Sequence, residues 1–148
     1  MKKIPKLKTI AAVLVRQKTP LQILPITLPD YLDRGQVLVE ISYSGICGSQ
    51  LGEIDGVKGQ DKYLPHLLGH EGTGVVLEIG EGVKTVKKSD NVILHWRPGT
   101  GLQSAPPKYN SELGTINAGW VTTFNKYGVI SENRLTKISS SLPKSILP

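Results

Sequence analysis

The chain has 148 residues, a single Cys and a net charge of +6. That length fits one ordinary domain able to fold on its own burial, and the lone Cys excludes an intramolecular disulfide and an all-Cys zinc site. With 39% apolar and 20% charged residues, the composition is neither disordered nor membrane-spanning, and 16 Gly with 10 Pro mean many turns rather than a helix bundle.

The N-terminal Met1-Lys-Lys and the apolar run Thr9 to Val15 have a faint signal-peptide pattern. Pro5 interrupts it, and Arg16-Gln-Lys stands where small residues should mark cleavage. Ile10 to Val15 therefore reads as a first strand. Further β-branched runs at Gln22 to Ile26, Val37 to Tyr43, Gly74 to Ile79, Asn91 to Trp96, Trp120 to Phe124, Gly128 to Ser131 and Leu135 to Ile138 read as strands. The clearest alternation is Val37, Val39, Ile41 and Tyr43 against Leu38, Glu40 and Ser42. One short helix is expected at about Cys47 to Ile54. Arg97 to Gly119 reads as a long polar loop, and residues 139–148 as a linker or the start of a further element after a domain at 1–138. The pattern predicts a mainly β fold, a small barrel or sandwich with one or two short helices.

No apolar run approaches the roughly 20 residues that span a bilayer, so the expectation is no membrane and a cytoplasmic protein with Cys47 reduced. Four of the 18 cations crowd into the first eight residues and few aromatics interleave the rest. No nucleic-acid partner is expected.

Two segments carry candidate chemistry. Gly45-Ile-Cys-Gly-Ser49 follows a strand, and Pro65-His-Leu-Leu-Gly-His-Glu-Gly-Thr-Gly74 leads into one. There is no G-x-G-x-x-G, Walker A, H-E-x-x-H or G-x-S-x-G sequence. A lone Cys is most often a small buried apolar group, and a His between glycines is most often a loop residue. Thiolate and imidazole are nevertheless natural zinc ligands, and a catalytic zinc takes three protein ligands plus an open position. Glu71 is a candidate third ligand. His66 and His95 are further candidates, with a structural or surface role the simpler reading.

Gly45-Ile-Cys-Gly-Ser49, Leu68-Gly-His-Glu-Gly-Thr-Gly74 and Ser89-Asp-Asn-Val-Ile93 resemble the medium-chain dehydrogenase/reductases. More narrowly, they are similar to the N-terminal catalytic domain of zinc-dependent alcohol dehydrogenases, over nearly the whole chain. The resemblance implies a GroES-like, partly open β-barrel followed by a Rossmann cofactor domain that binds NAD or NADP. It implies that Cys47 and His70 ligate the catalytic zinc, that Glu71 approaches it or transiently ligates it, and that the remaining ligand lies beyond Pro148. It makes Ser49 the proton relay and Trp96 part of the substrate pocket. The reaction it implies interconverts an alcohol or polyol and its carbonyl through a zinc-held alkoxide and hydride transfer to the nicotinamide. A homo-oligomer is implied for the complete enzyme, and little or no activity for this portion alone. A stand-alone GroES-like binding or assembly module without chemistry is the alternative.

Two departures stand out. Gln50 occupies the place of an Asp that, in the family, bonds the zinc-ligating His, so a weaker field on the zinc is expected, with zinc retained. The lobe holding a second, structural zinc in many relatives corresponds to His95 to Asn110, which has no Cys. No structural zinc is expected there, and the lobe is ordered by packing or is mobile. Arg97 and Lys108 are candidates to meet an anionic substrate group, with exposed surface cations the simpler reading.

Overall fold

A computed structural model describes residues 1–139, 141–143 and 145. The expectation for residues 139–148 therefore lies in large part outside the described residues. The strands are β1 (Lys2–Lys3), β2 (Lys8–Leu14), β3 (Gln22–Thr27), β4 (Tyr31–Leu32), β5 (Gln36–Ser44), β6 (His66–Leu67), β7 (Gly72–Ile79), β8 (Asn91–Leu94), β9 (Lys108–Ser111), β10 (Gly114–Asn117), β11 (Tyr127–Ser131) and β12 (Leu135–Lys137). Among the described residues one α-helix, α1, spans Gly48–Asp55, and a 3-10 turn covers Glu132–Arg134. Among the described residues no helix is long and apolar enough to cross a membrane.

The fold is mainly β and GroES-like. Five strands, in the order β10-β6-β2-β3-β9, close into a barrel, and β11-β5-β7-β8-β12 form a second, five-stranded sheet. Along β5 the alternating pattern suggested one buried face, yet Val37, Leu38 and Val39 are all buried. The reason is that β5 divides two cores. Leu38 packs with Val13, Ile26, Tyr109 and Ile116, while Val37 and Val39 pack with Val76, Val92 and Leu94. β11 does the same with Val129 and Ile130 on opposite sides. Each such aliphatic burial is worth roughly 1.5–3 kcal/mol, so this shared wall fixes both sheets.

The stretch read as a loop, Arg97 to Gly119, contains the β9–β10 hairpin, which completes the barrel by pairing Asn110 with Thr27 and Asn117 with His66. Its polar composition concealed two inward side chains, Tyr109 and Ile116, both fully buried. Burial pushes the Tyr109 phenol up to about 12, and its oxygen accepts the Val129 N–H at 2.8 Å. Trp120 to Phe124, read as a strand, is irregular. Its Thr123 and Phe124 N–H groups both donate to Leu68 O at 3.1 Å, so this backbone caps a turn rather than joining a ladder. The β-branched run there reports the burial of Val121, Thr122 and Thr123, not extended pairing.

Candidate metal centre and cleft

The antiparallel pair β5–β7 joins the two candidate segments. Ser44, the last residue of β5, is paired with Gly72, the first of β7. Cys47 lies three residues past one strand end and His70 and Glu71 just before the other, so all three collect at the same edge. The Gly45 N–H donates to Glu71 O at 3.1 Å and Ser44 Oγ bonds Thr123 Oγ1 at 2.7 Å, tying the two turns together. One ligand atom from each of Cys47, His70 and Glu71 lies within 4.8 Å of the others.

The glycines explain this close approach. Gly69 has φ +90°, and a Cβ there would lie 2.2 Å from Thr123 Oγ1 and 2.9 Å from the Phe124 nitrogen. At Gly72 a Cβ would lie 2.5 Å from Tyr43 O. His70 and Glu71 thus sit on a tight turn that presses against two neighbouring backbones, a placement only glycine permits.

Cys47 is the N-cap of α1, half-buried. The Ser49 hydroxyl and backbone N–H beside it lower its thiol pKa below the ordinary value, against the opposing effects of burial and the Glu71 charge. The Ser49 oxygen is itself buried and has no hydrogen-bond partner of acceptable geometry. Gln50 is 2% exposed and bridges two of the candidate ligands: its Oε1 accepts the Cys47 N–H at 2.8 Å and its Nε2 lies 2.7 Å from His70 Nδ1. Helix α1 ends at Gly56 in the left-handed conformation, with the Val57 N–H closing on Gly52 O.

Beside the cluster opens a cleft of about 750 Å³, lined by Gln50, His70, Trp96, Trp120 and Arg134 among others. Trp96 is 60% exposed, and its ring centre lies 6.3 Å from that of His70. Cys47, Ser49 and Glu71 are not among its lining residues. His66 lines this cleft and His95 does not, and both rings are already hydrogen-bonded. His66 bonds Asp61 Oδ2 at 2.7 Å and Leu67 O at 3.0 Å, and His95 bonds Arg97 O at 2.7 Å and Thr136 Oγ1 at 2.9 Å.

A family profile described as "Alcohol dehydrogenase GroES-like domain" matches residues 33–140, which include both candidate segments and the second sheet. The chain belongs to the alcohol dehydrogenase GroES-like domain family. Among its relatives, an alcohol dehydrogenase class-3 of Cereibacter sphaeroides is 30% identical, the match covering 93% of this chain and 43% of the relative. A D-arabinose 1-dehydrogenase (NADP(+)) of Saccharolobus solfataricus is 32% identical over the whole chain and 44% of the relative. A crystal structure of an alcohol dehydrogenase zinc-binding domain protein from Burkholderia ambifaria shares the fold, with TM-score 0.80 and 24% identity over 95% of this chain and 44% of that one. This GroES-like domain thus spans less than half the length of the relatives it matches.

Within the GroES-like domain, the structure brings Cys47, His70, Glu71 and Ser49 to one edge and sets Trp96 in the adjoining cleft. Sequence reasoning missed Trp120 and Arg134. Trp120 was hidden in a segment read as a strand. Arg134 follows a strand in an ordinary-looking Glu-Asn-Arg turn, and no local signal marks it.

Proposed function

We propose that this domain is the catalytic portion of a zinc-dependent NAD(P) oxidoreductase that interconverts an alcohol or polyol and its carbonyl. The observation that carries the reading is the convergence of Cys47, His70 and Glu71 ligand atoms within 4.8 Å. The donor set suits the metal, since sulfur, imidazole nitrogen and carboxylate oxygen are the three zinc ligand types. The lowered Cys47 pKa, set first by the neighbouring Ser49 hydroxyl, favours the thiolate that a metal requires. The relatives' names, alcohol dehydrogenase and D-arabinose 1-dehydrogenase, support the substrate class.

On this reading Cys47, His70 and Glu71 hold the zinc, which supplies Lewis-acid polarisation of a substrate oxygen. Ser49 Oγ accepts the alcohol proton and passes it outward. Trp96 and Trp120 wall the cleft with aromatic surface, exclude water and hold the carbon part of the substrate. Nicotinamide binding belongs to a separate cofactor domain, and this portion alone is inactive.

The test is metal binding by the 148-residue chain. Titration with excess Co²⁺ should give a thiolate-to-cobalt absorption band, weak because the resemblance puts one further ligand outside these residues, and lost in Cys47→Ala and His70→Ala. No band even at excess Co²⁺, or a band that survives in Cys47→Ala, would reject Cys47, His70 and Glu71 as a metal site and favour a GroES-like binding module without chemistry.

A further inference from the structure

Arg134 is 4% exposed, yet it lines the same cleft as His70 and Trp96. Its guanidinium carbon lies 5.1 Å from the Trp120 ring centre and 5.8 Å from that of Trp96. Nη1 donates to Trp96 O and Nη2 to Gln103 Oε1 at 3.4 Å, while Nε has no protein acceptor. A guanidinium has five N–H donors, so most of its capacity is uncommitted.

No carboxylate balances this charge among the described residues. The nearest acid in sequence, Glu132, is spent elsewhere. Its Oε1 accepts the N–H groups of Lys84 and Thr85 and the Thr85 hydroxyl, and its Oε2 accepts the Leu102 N–H. Of the two carboxylates on the cleft, Asp61 is bound to His66 at 2.7 Å, and Glu53 forms no ion pair among the described residues. Lys108, the other cation on the lining, also has no ion pair among the described residues. Arg97, the other cation singled out in the sequence, does not line the cleft. A buried cation with neutral partners is costly to hold, and an arginine fork matches a carboxylate or a phosphate edge to edge.

We propose that Arg134 makes this cleft a site for the anionic group, carboxylate or phosphate, of a substrate that also carries the reacting alcohol or carbonyl. The substrate class is therefore a hydroxy acid or a phosphorylated polyol rather than a neutral alcohol. This rests on the dehydrogenase reading for the reacting group, but the anion contact is measurable without metal or cofactor.

Trp96 and Trp120 are the chain's two tryptophans, and both flank Arg134, so intrinsic fluorescence reports on this site. The 148-residue chain is titrated with two matched pairs, lactate against 1,2-propanediol and glycerol 3-phosphate against glycerol. At least one anionic member should bind about tenfold or more tightly than its neutral partner, and which pair shows it separates carboxylate from phosphate. Arg134→Met should abolish the preference, and Arg134→Lys should keep only part of it. Equal binding within both pairs, or a preference that survives in folded Arg134→Met, overturns the proposal. If Arg134→Met does not fold, Lys108→Met at the exposed position decides: a retained preference supports Arg134, a lost one assigns it to Lys108. Cobalt bound at Cys47 with no anion preference rejects this inference alone. An anion preference with no cobalt bound even at excess rejects the metal site at Cys47, His70 and Glu71 and leaves the anion site standing.

Discussion

Gln50 holds His70 as a hydrogen-bond acceptor, with Gln50 Nε2 lying 2.7 Å from His70 Nδ1. The amide is oriented from its other end, where Gln50 Oε1 faces the Cys47 N–H at 2.8 Å. A backbone N–H only donates, so the atom facing it is the oxygen, and the amide nitrogen left for His70 only donates as well. Neutral His70 therefore carries its proton on Nε2. That nitrogen is the one left for a metal, because Nδ1 is occupied.

Zinc on Nε2 needs the proton moved to Nδ1, with an acceptor facing it. Gln50 supplies one only by turning over and giving up the Cys47 cap, a loss of about 0.5–1.5 kcal/mol. Gln50→Glu removes the conflict, since one carboxylate oxygen accepts from Cys47 and the other from Nδ1–H. The expected outcome is a switch of the neutral His70 tautomer in ¹⁵N NMR and zinc binding about tenfold tighter by chelator competition. An unchanged tautomer in Gln50→Glu would refute this account of the amide.

The lesson about legibility lies in these same residues. Gln50 was conspicuous as the odd residue beside Ser49, but the amide's direction depends on a backbone N–H that only the start of α1 positions. Cys47 and His70 stood out as candidates because glycines bracket them and a strand adjoins each turn, but their ligand roles came from the family resemblance, not from spacing. Arg134 was not readable, because its importance comes from two tryptophans and an acid committed elsewhere, all distant in sequence. The β9–β10 hairpin was missed because only Tyr109 and Ile116 face inward, too few to reveal a period against the polar residues around them.

Gly69→Ala should damage the site more than a glycine replacement of similar backbone angle elsewhere. Gly59 has φ +95° with nothing within 4 Å of a built Cβ, whereas Gly69 at φ +90° meets Thr123 Oγ1 and the Phe124 backbone. Backbone strain of about 1–3 kcal/mol is common to both. The clash adds about 1–3 kcal/mol only at Gly69, and it displaces the turn bearing His70. Thermal melts and cobalt titration of the two variants test this, and equal effects would remove the steric account of the motif.

Tyr109→Phe tests what orders the lobe that has no Cys. The hairpin is fastened to the second sheet by the Val129 N–H donating to the Tyr109 oxygen. Removing that oxygen leaves a buried donor unsatisfied, at a cost of about 1–3 kcal/mol. With the phenol pushed up to about 12 by burial, it stays protonated across the neutral range and the loss should not depend on pH there. Denaturant melts of the two proteins, with and without chelator, should show a constant difference. A lobe that loosens on chelation instead would mean that metal, not this packing, orders it.

Acid should weaken the fold through Glu132. Burial raises its pKa, but hydrogen bonds from Leu102, Lys84 and Thr85 outweigh that, so the folded value lies below the ordinary one. A carboxylate held low stabilises the fold fully above its unfolded pKa, about 4.3, and the contribution disappears as pH falls through the folded value. Glu132→Gln keeps the shape but turns an amide N–H₂ toward donors at one end, so it should cost about 1–3 kcal/mol near neutrality. It should also flatten the loss of stability in acid. The flattening is partial. Asp90 titrates in the same window, held low because the Lys137 contact at 2.8 Å and the Lys87 N–H together outweigh its burial. Glu78 joins it, held low by Lys2 at 2.7 Å. Denaturant melts of both proteins from neutral pH into acid measure the difference. Parallel curves would mean that the Glu132 carboxylate does not hold the 84–85 and 102 segments in its charged form.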